Sequence, residues 1–170
     1  MPPPPLNAAA RLGVTTRPMT DEDLPFVAAL YASTREEELA PLPWPDENKR
    51  AFLEQQHRAQ HAHYRAHYAD ADWLILERDG RPIGRLYLDE WQEQLRIIDI
   101  SLVTEARGEG IGGAILADII AAAGTAGKGV SIHVEKSNPA RRLYERLGFQ
   151  IIEDKGVYDL MEWRPEGSSN

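Results

Sequence analysis

The chain has 170 residues, 42% of them hydrophobic, enough to close one domain around a core. Its formal net charge of −8 argues against nonspecific nucleic-acid binding, and no apolar run approaches the ~18 residues of a membrane span. It has no cysteine, which removes disulfides and thiolate chemistry and fits a cytoplasmic protein.

The N-terminus, Met1 followed by Pro2 to Pro5, has neither the basic region nor the apolar core of a secretory signal. Residues 1–12 read as a flexible proline-rich tail. Val14 to Arg17 reads as a strand. Thr20 and Asp23 resemble a capping box, so a first helix opens at Leu24 and runs to about Tyr31. Pro41, Pro43 and Pro45 force a loop, after which Asp46 is placed to cap a long second helix ending near Tyr68. Trp73 to Glu77 and Pro82 to Leu88 read as two strands joined by a tight turn at Asp79-Gly80. Leu95 to Val103 is another strand, Ile111 to Ala123 a helix and Val130 to Glu135 a strand. Pro139 to Leu147 reads as a short helix stopped by Gly148. Phe149 to Glu153 and Val157 to Trp163 form a last hairpin, and residues 165–170 read as a disordered tail.

Early strands that pair as hairpins and one central βαβ unit predict an α/β fold: a mixed, mostly antiparallel central sheet with helices on both faces. Residues 13–164 form the domain.

"RGEGIGGAIL", residues 107 to 116, joins a strand to a helix through four glycines. Helix starts leave N–H groups unpaired and favour anions, and missing Cβ atoms let a phosphate approach them. A tight turn with close helix packing is the alternative. The letters contain G-x-G-x-x-G, and Glu135 stands near the offset of a ribose-binding acid in a dinucleotide fold. Against that reading, Thr104 to Arg107 intervene before the first glycine, and too few strands follow for a doubly wound sheet. A Walker loop fails, because Gly129 follows Gly127-Lys128.

Arg107-Gly108-Glu109-Gly110-Ile111-Gly112 resembles the R/Q-x-x-G-x-G/A motif of the GNAT superfamily of acyl-CoA-dependent N-acyltransferases. Asn138 to Phe149 is similar to its second signature, N-x-x-A-x-x-x-Y-x-x-x-G-F, although the alanine stands two places after the asparagine. Thr104 departs from the proline of many members. The resemblance covers about residues 13–163. It implies that the amides of Gly108, Gly110, Ile111, Gly112 and Gly113 hold the pyrophosphate of acetyl-CoA, the cosubstrate. It further implies that Leu102 and Val103 bond the pantetheine through their backbone, and that Arg107 adds positive charge. Asn138 either touches the cofactor or organises its loop. Arg141 and Arg142 either reach the 3′-phosphate end or belong to a solvated helix face. Tyr144 matches the family's thiolate-protonating tyrosine; a core tyrosine is the alternative.

For the base, Asp99 interrupts an aliphatic strand, a costly place for a carboxylate unless it is paired or hydrated. It either takes the ammonium proton or forms an ion pair with Arg85 or Arg96. His133, facing away from Ile132 and Val134, is a base or a packed histidine. Glu90 and Glu93 are further candidates. On the second helix Leu53, His57, Gln60, Tyr64 and His67 share one face by helical geometry. That face, with Glu36, Glu37 and Glu38, is expected to border a cationic amine acceptor; a solvated acidic helix end is the alternative. The His57/His61 and His63/His67 pairs point in different directions, so no metal is expected. The reading is direct acetyl transfer to a small-molecule or peptide amine in a ternary complex, without nucleic acid or membrane and with a homodimer open through the last strands. The alternatives are a noncatalytic acyl-CoA sensor and a dinucleotide-dependent oxidoreductase.

Overall fold

The computed structural model describes residues 3–167. The expected tails extend to Met1, Pro2 and residues 168–170, which lie outside the described residues.

The chain forms α1 (Asn7–Arg11), β1 (Val14–Pro18), α2 (Leu24–Leu39), α3 (Asp46–His67), β2 (Asp72–Arg78), β3 (Arg81–Glu90) and β4 (Gln94–Leu102). Then come α4 (Ile111–Ala126), β5 (Gly129–Glu135), α5 (Arg141–Arg146), β6 (Gln150–Lys155) and β7 (Tyr158–Trp163). Seven strands make one mixed sheet in the order β1-β2-β3-β4-β5-β7-β6, with β4 and β5 as its parallel pair. The expected α/β fold is thus realised, with every other pairing antiparallel.

Local chemistry sets the elements. Asp79 and Gly80 both take positive φ, 55° and 74°, as the two-residue hairpin turn between β2 and β3 requires. The Asp23 carboxylate accepts the Thr20 N–H at 2.8 Å, closing the capping box ahead of α2. Asp46 does not cap α3; Pro45 stands at the cap and Asp46 is the first helical residue, where its charge meets the helix dipole. Pro139 likewise precedes α5, which begins at Arg141.

Alternating strand residues send Leu86, Leu88, Ile97, Val130, Ile132 and Val134 to one face, against Ile111, Ile115 and Ile119 of α4. The other face carries α2 and α3, whose own small core is Tyr31, Leu39 and Leu53.

The flexible-tail expectation does not hold over Asn7–Arg11. This segment is α1, and its Ala9 is fully buried. Asp118 of α4 is the cause: its two carboxylate oxygens accept the N–H groups of Ala8 (2.8 Å) and Ala9 (3.0 Å). A side chain from the middle of the chain therefore satisfies orphan donors of the first helix. Asp118→Ala should cost about 1–2 kcal/mol, read as a lower urea midpoint. An unchanged midpoint would mean that α1 contributes nothing to stability.

Candidate active site

β4 and β5 pair only from Gln94 to Ile97 against Gly129 to Ile132. Beyond that the strands part, and Ile98 is extruded as a bulge between the Tyr87–Asp99 and Leu88–Ile97 pairs of β3 and β4. The Val103 N–H donates to the Ile83 carbonyl at 2.8 Å, and the Val103 carbonyl accepts from Ala106 at 3.0 Å. The alternation of an antiparallel ladder then turns the backbone groups of Leu102 and Ile100 away from β3, into the opening. The expectation of a free Val103 amide is therefore corrected: sheet pairing consumes it. Leu102 faces the cleft as expected, and Ile100 joins it. No sequence signal marks Ile100, because the bulge sets its phase. The Leu102 carbonyl already accepts Arg107 Nε at 3.0 Å.

After a 3-10 turn at Thr104–Ala106, the loop passes through Gly108 (φ 77°) and Gly110 (φ 81°) into α4. Both angles belong to the left-handed region that glycine tolerates. A Cβ built on Gly108, Gly110 or Gly112 would meet nothing within 4 Å; on Gly113 it would meet Leu143 Cδ1 at 3.6 Å. No side chain caps α4, and no acid stands in its first turn. Ile111 anchors the turn by burying its side chain in the core. The amides at this helix start thus face open space with the positive end of the helix dipole behind them, which fits an anionic diphosphate. An Arg78–Glu109 ion pair (3.1 Å) braces the loop. Arg141 is held by Asp159 at 2.8 Å, whereas Arg142 is exposed and has no ion pair among the described residues.

Leu143 lies beside this loop, next to where a Gly113 side chain would stand, and its neighbour Tyr144 is buried in the core cluster. Its ring packs edge-on to Phe149 at 5.5 Å and is 4% exposed. Its hydroxyl has no hydrogen-bond partner among the described residues, yet is not sealed from solvent. Burial, then the nearby Asp99 charge, pushes its pKa well above that of an ordinary phenol. Asn138 uses its side-chain oxygen locally, accepting the Ala140 N–H at 2.9 Å ahead of α5.

Asp99 pairs with Arg85 at 2.7 Å and accepts the Ser101 hydroxyl at 2.7 Å. Of the two partners weighed for Asp99, the structure selects Arg85; Arg96 goes to Ser131 and His133. Arg85, 2% exposed, also donates to Gln60 Oε1 of α3 at 3.0 Å. Gln60, Leu53, buried His57 and half-buried Tyr64 share the inner face of α3, as expected, and Tyr64 meets Tyr87 edge-on. His67 does not belong to that face. It is exposed, with Nδ1 against the His63 carbonyl.

His57 Nε2 and Arg85 Nε are sealed without a partner among the described residues. Burial, followed by the charges of Arg85 and His61, lowers the His57 pKa from the ordinary 6.5 to about 4. Between pH 4 and 6.5 the unfolded chain holds this proton and the native chain does not, so stability rises with pH across that window. Thermal melts should climb there, and less steeply in His57→Phe; parallel curves for the two proteins would contradict the assignment.

The remaining candidates stand apart. Glu90 binds Lys128 at 2.9 Å, and the Glu93 carbonyl accepts the Gly129 N–H, both at the closed end of the β4–β5 pair. His133 is exposed on the sheet face that bears Ser131, its Nδ1 against Arg96. Glu36, Glu37 and Glu38 are exposed at the end of α2, Glu38 bound to Arg35. Arg35 also holds Glu135 at 2.7 Å, occupying the acid that a dinucleotide reading would need. Among the described residues no group of three or more His, Cys, Asp or Glu is arranged to hold a metal, and no helix is long and apolar enough to cross a membrane.

A cleft between diverging strands is thus floored by a glycine-opened helix start suited to an anion. Residues 29–149 match the acetyltransferase (GNAT) family model, and the chain belongs to that family. Among solved structures, it resembles the PaiA N-acetyltransferase of Thermoplasma acidophilum in complex with coenzyme A. The TM-score is 0.64 at 16% identity, over 89% of this chain and 98% of that one. It also resembles Arabidopsis thaliana Naa50 bound to the bisubstrate analogue CoA-Ac-MVNAL (TM-score 0.58, 15% identity, 89% and 98% covered). A third is the ribosomal-protein-S18-alanine N-acetyltransferase of Escherichia coli (TM-score 0.57, 19% identity, 92% and 96% covered). At these identities the likeness is one of fold. No curated protein matches the sequence.

Proposed function

We propose that this protein transfers the acetyl group of acetyl-CoA to an amine by direct attack in a ternary complex. The observation that carries the reading is the uncapped, glycine-opened start of α4 beside the parting of β4 and β5, with the Tyr144 hydroxyl, without a partner among the described residues, near the Asp99 charge. The amides of Gly108, Gly110, Ile111, Gly112 and Gly113 hold the diphosphate, with Arg107 adding charge at the loop entry. Leu102 and Ile100 receive the pantetheine amides. Arg142 is the cation for the 3′-phosphate, and Asn138 orders the neighbouring turn.

Coenzyme A supplies an activated acetyl group on sulfur. Asp99 takes the ammonium proton through the Ser101 hydroxyl that it already accepts. As the nitrogen bonds to the acetyl carbon and the carbon–sulfur bond breaks, Tyr144 donates its proton to the departing sulfur, and the nitrogen's surplus proton returns to the Tyr144 phenolate through solvent, leaving a neutral amide and the coenzyme A thiol. The acceptor is a small-molecule or peptide amine entering from the α2–α3 side, and its cationic form is attracted by Glu36, Glu37 and Glu38. We place the reaction in the cytoplasm. The exposed edge strand β6 is where a homodimer would pair; a sedimentation mass of one chain would exclude it.

Acetyl-CoA should raise the melting temperature and NADH should not, since only a ligand of the folded state stabilises it. Coenzyme A release should then follow from part of an amine panel. A shift with NADH alone would overturn the reading. A shift with acetyl-CoA but no release from any amine would reduce the protein to a binding module.

A further inference from the structure

Arg96 of β4 is only 9% exposed, yet no carboxylate lies within ion-pair distance of it among the described residues. A buried cation without a counter-ion is costly and calls for an explanation. Its Nε donates to Ser131 Oγ at 2.9 Å, one terminal N–H faces His133 Nδ1 at 3.3 Å, and the guanidinium lies 4.7 Å over the Trp91 ring. The neighbouring acids are engaged elsewhere. Asp89, its cross-strand partner, accepts the Trp91 indole N–H at 2.8 Å. Glu162, beside Ser131 on β7, is held by Gln94 and Arg164.

Trp91 covers one face of the guanidinium. The remaining N–H group is not sealed from solvent. Guanidinium has no acceptor, so His133 Nδ1 must be the acceptor in their contact and Nε2 must carry the proton. Burial, Arg96 and Lys155 lower the His133 pKa, in keeping with a neutral ring. Arg96 and exposed His133 therefore present two donors side by side on the sheet face. That face also carries Asp99, which lies opposite Tyr87 where Arg96 lies opposite Asp89, two strand positions and about 7 Å away because the bulge at Ile98 takes up the extra residue.

We propose that Arg96 and His133 form a subsite for a carboxylate borne by the acceptor, so that the substrate is an amino acid-like amine held at both ends. The inference rests on the acyltransferase reading for the identity of the acceptor. The amine end lies toward Asp99 and the carboxylate completes the ion pair that Arg96 lacks. Charge-assisted hydrogen bonds to a desolvated guanidinium are the strong kind, which makes this contact a source of selectivity.

Two measurements test it. In the first, the His133 imidazole signal, assigned with His133→Gln, is followed by NMR while ω-amino acids from β-alanine to ε-aminocaproate are titrated. Alkylamines of matched length serve as controls. At least one amino acid should shift the signal, no alkylamine should, and Arg96→Gln should abolish the response. This readout needs no catalysis, so it decides the subsite even if acetyl transfer fails. In the second, coenzyme A release should show kcat/KM about tenfold or more higher for the preferred amino acid than for its alkylamine. Arg96→Gln should close that gap while sparing the alkylamine and the acetyl-CoA melting shift. Equal responses to both ligand series, or no response to any amino acid, would overturn the proposal. So would an equal loss on both series in Arg96→Gln.

Discussion

Gly112→Asp is expected to weaken acetyl-CoA binding by about a hundredfold while raising the melting temperature of the ligand-free protein. Gly112 is the second residue of α4, and φ there is not positive. A side chain enters open space, with nothing within 4 Å of its Cβ. Replacing a helical glycine by aspartate favours the fold by only about 0.1–0.3 kcal/mol, and an acid in the first turn adds about 0.3–1 kcal/mol. Both terms stabilise the free protein. In the complex the same carboxylate faces a diphosphate. At about 5 Å and an effective dielectric near 20, two like charges repel by about 3 kcal/mol, or roughly a hundredfold. Calorimetric titration and thermal melts read the two effects separately. Unchanged affinity would put the diphosphate somewhere other than the start of α4.

Tyr144→Phe should lower kcat by about a hundredfold, the lower range for a positioned acid, with acetyl-CoA affinity nearly intact. The substitution is mild structurally. The ring keeps its edge contact with Phe149, and the lost hydroxyl had no partner to abandon among the described residues. Stability should therefore hold while turnover falls. Burial and Asp99 raise the phenol's pKa, so its proton stays in place through the neutral and mildly alkaline range. The rate should show no alkaline decline from loss of this acid below about pH 10. A kcat equal to wild type would leave Tyr144 a core residue and nothing more.

Features written in consecutive residues were open to inspection before any coordinates. The glycines of residues 108–113 announce a helix start without side chains, and the spacing from Asn138 to Phe149 carries Tyr144. Features made by distant residues were not. Asp99 could be seen as out of place, but its partner lies 14 residues away on the next strand. Only the register tells Arg85 from Arg96. The bulge at Ile98 resets which β4 amides face the cleft, and it leaves no mark in composition or alternation. For the same reason Val103 was assigned a backbone bond that the sheet uses. α1 leaves no signal of its own in the sequence, because five residues of no clear amphipathic pattern form a helix only with a cap supplied from α4.

That cap has a bearing on how the polypeptide comes into being. The contact joins residues 109 and 110 positions apart, so the first helix has no cap until translation has passed Asp118. Although domains generally organise from the leading end, here the leading end must wait. α1 leaves the ribosome about 110 residues ahead of the side chain that caps it, and until α4 follows it stays open to chaperones and proteases.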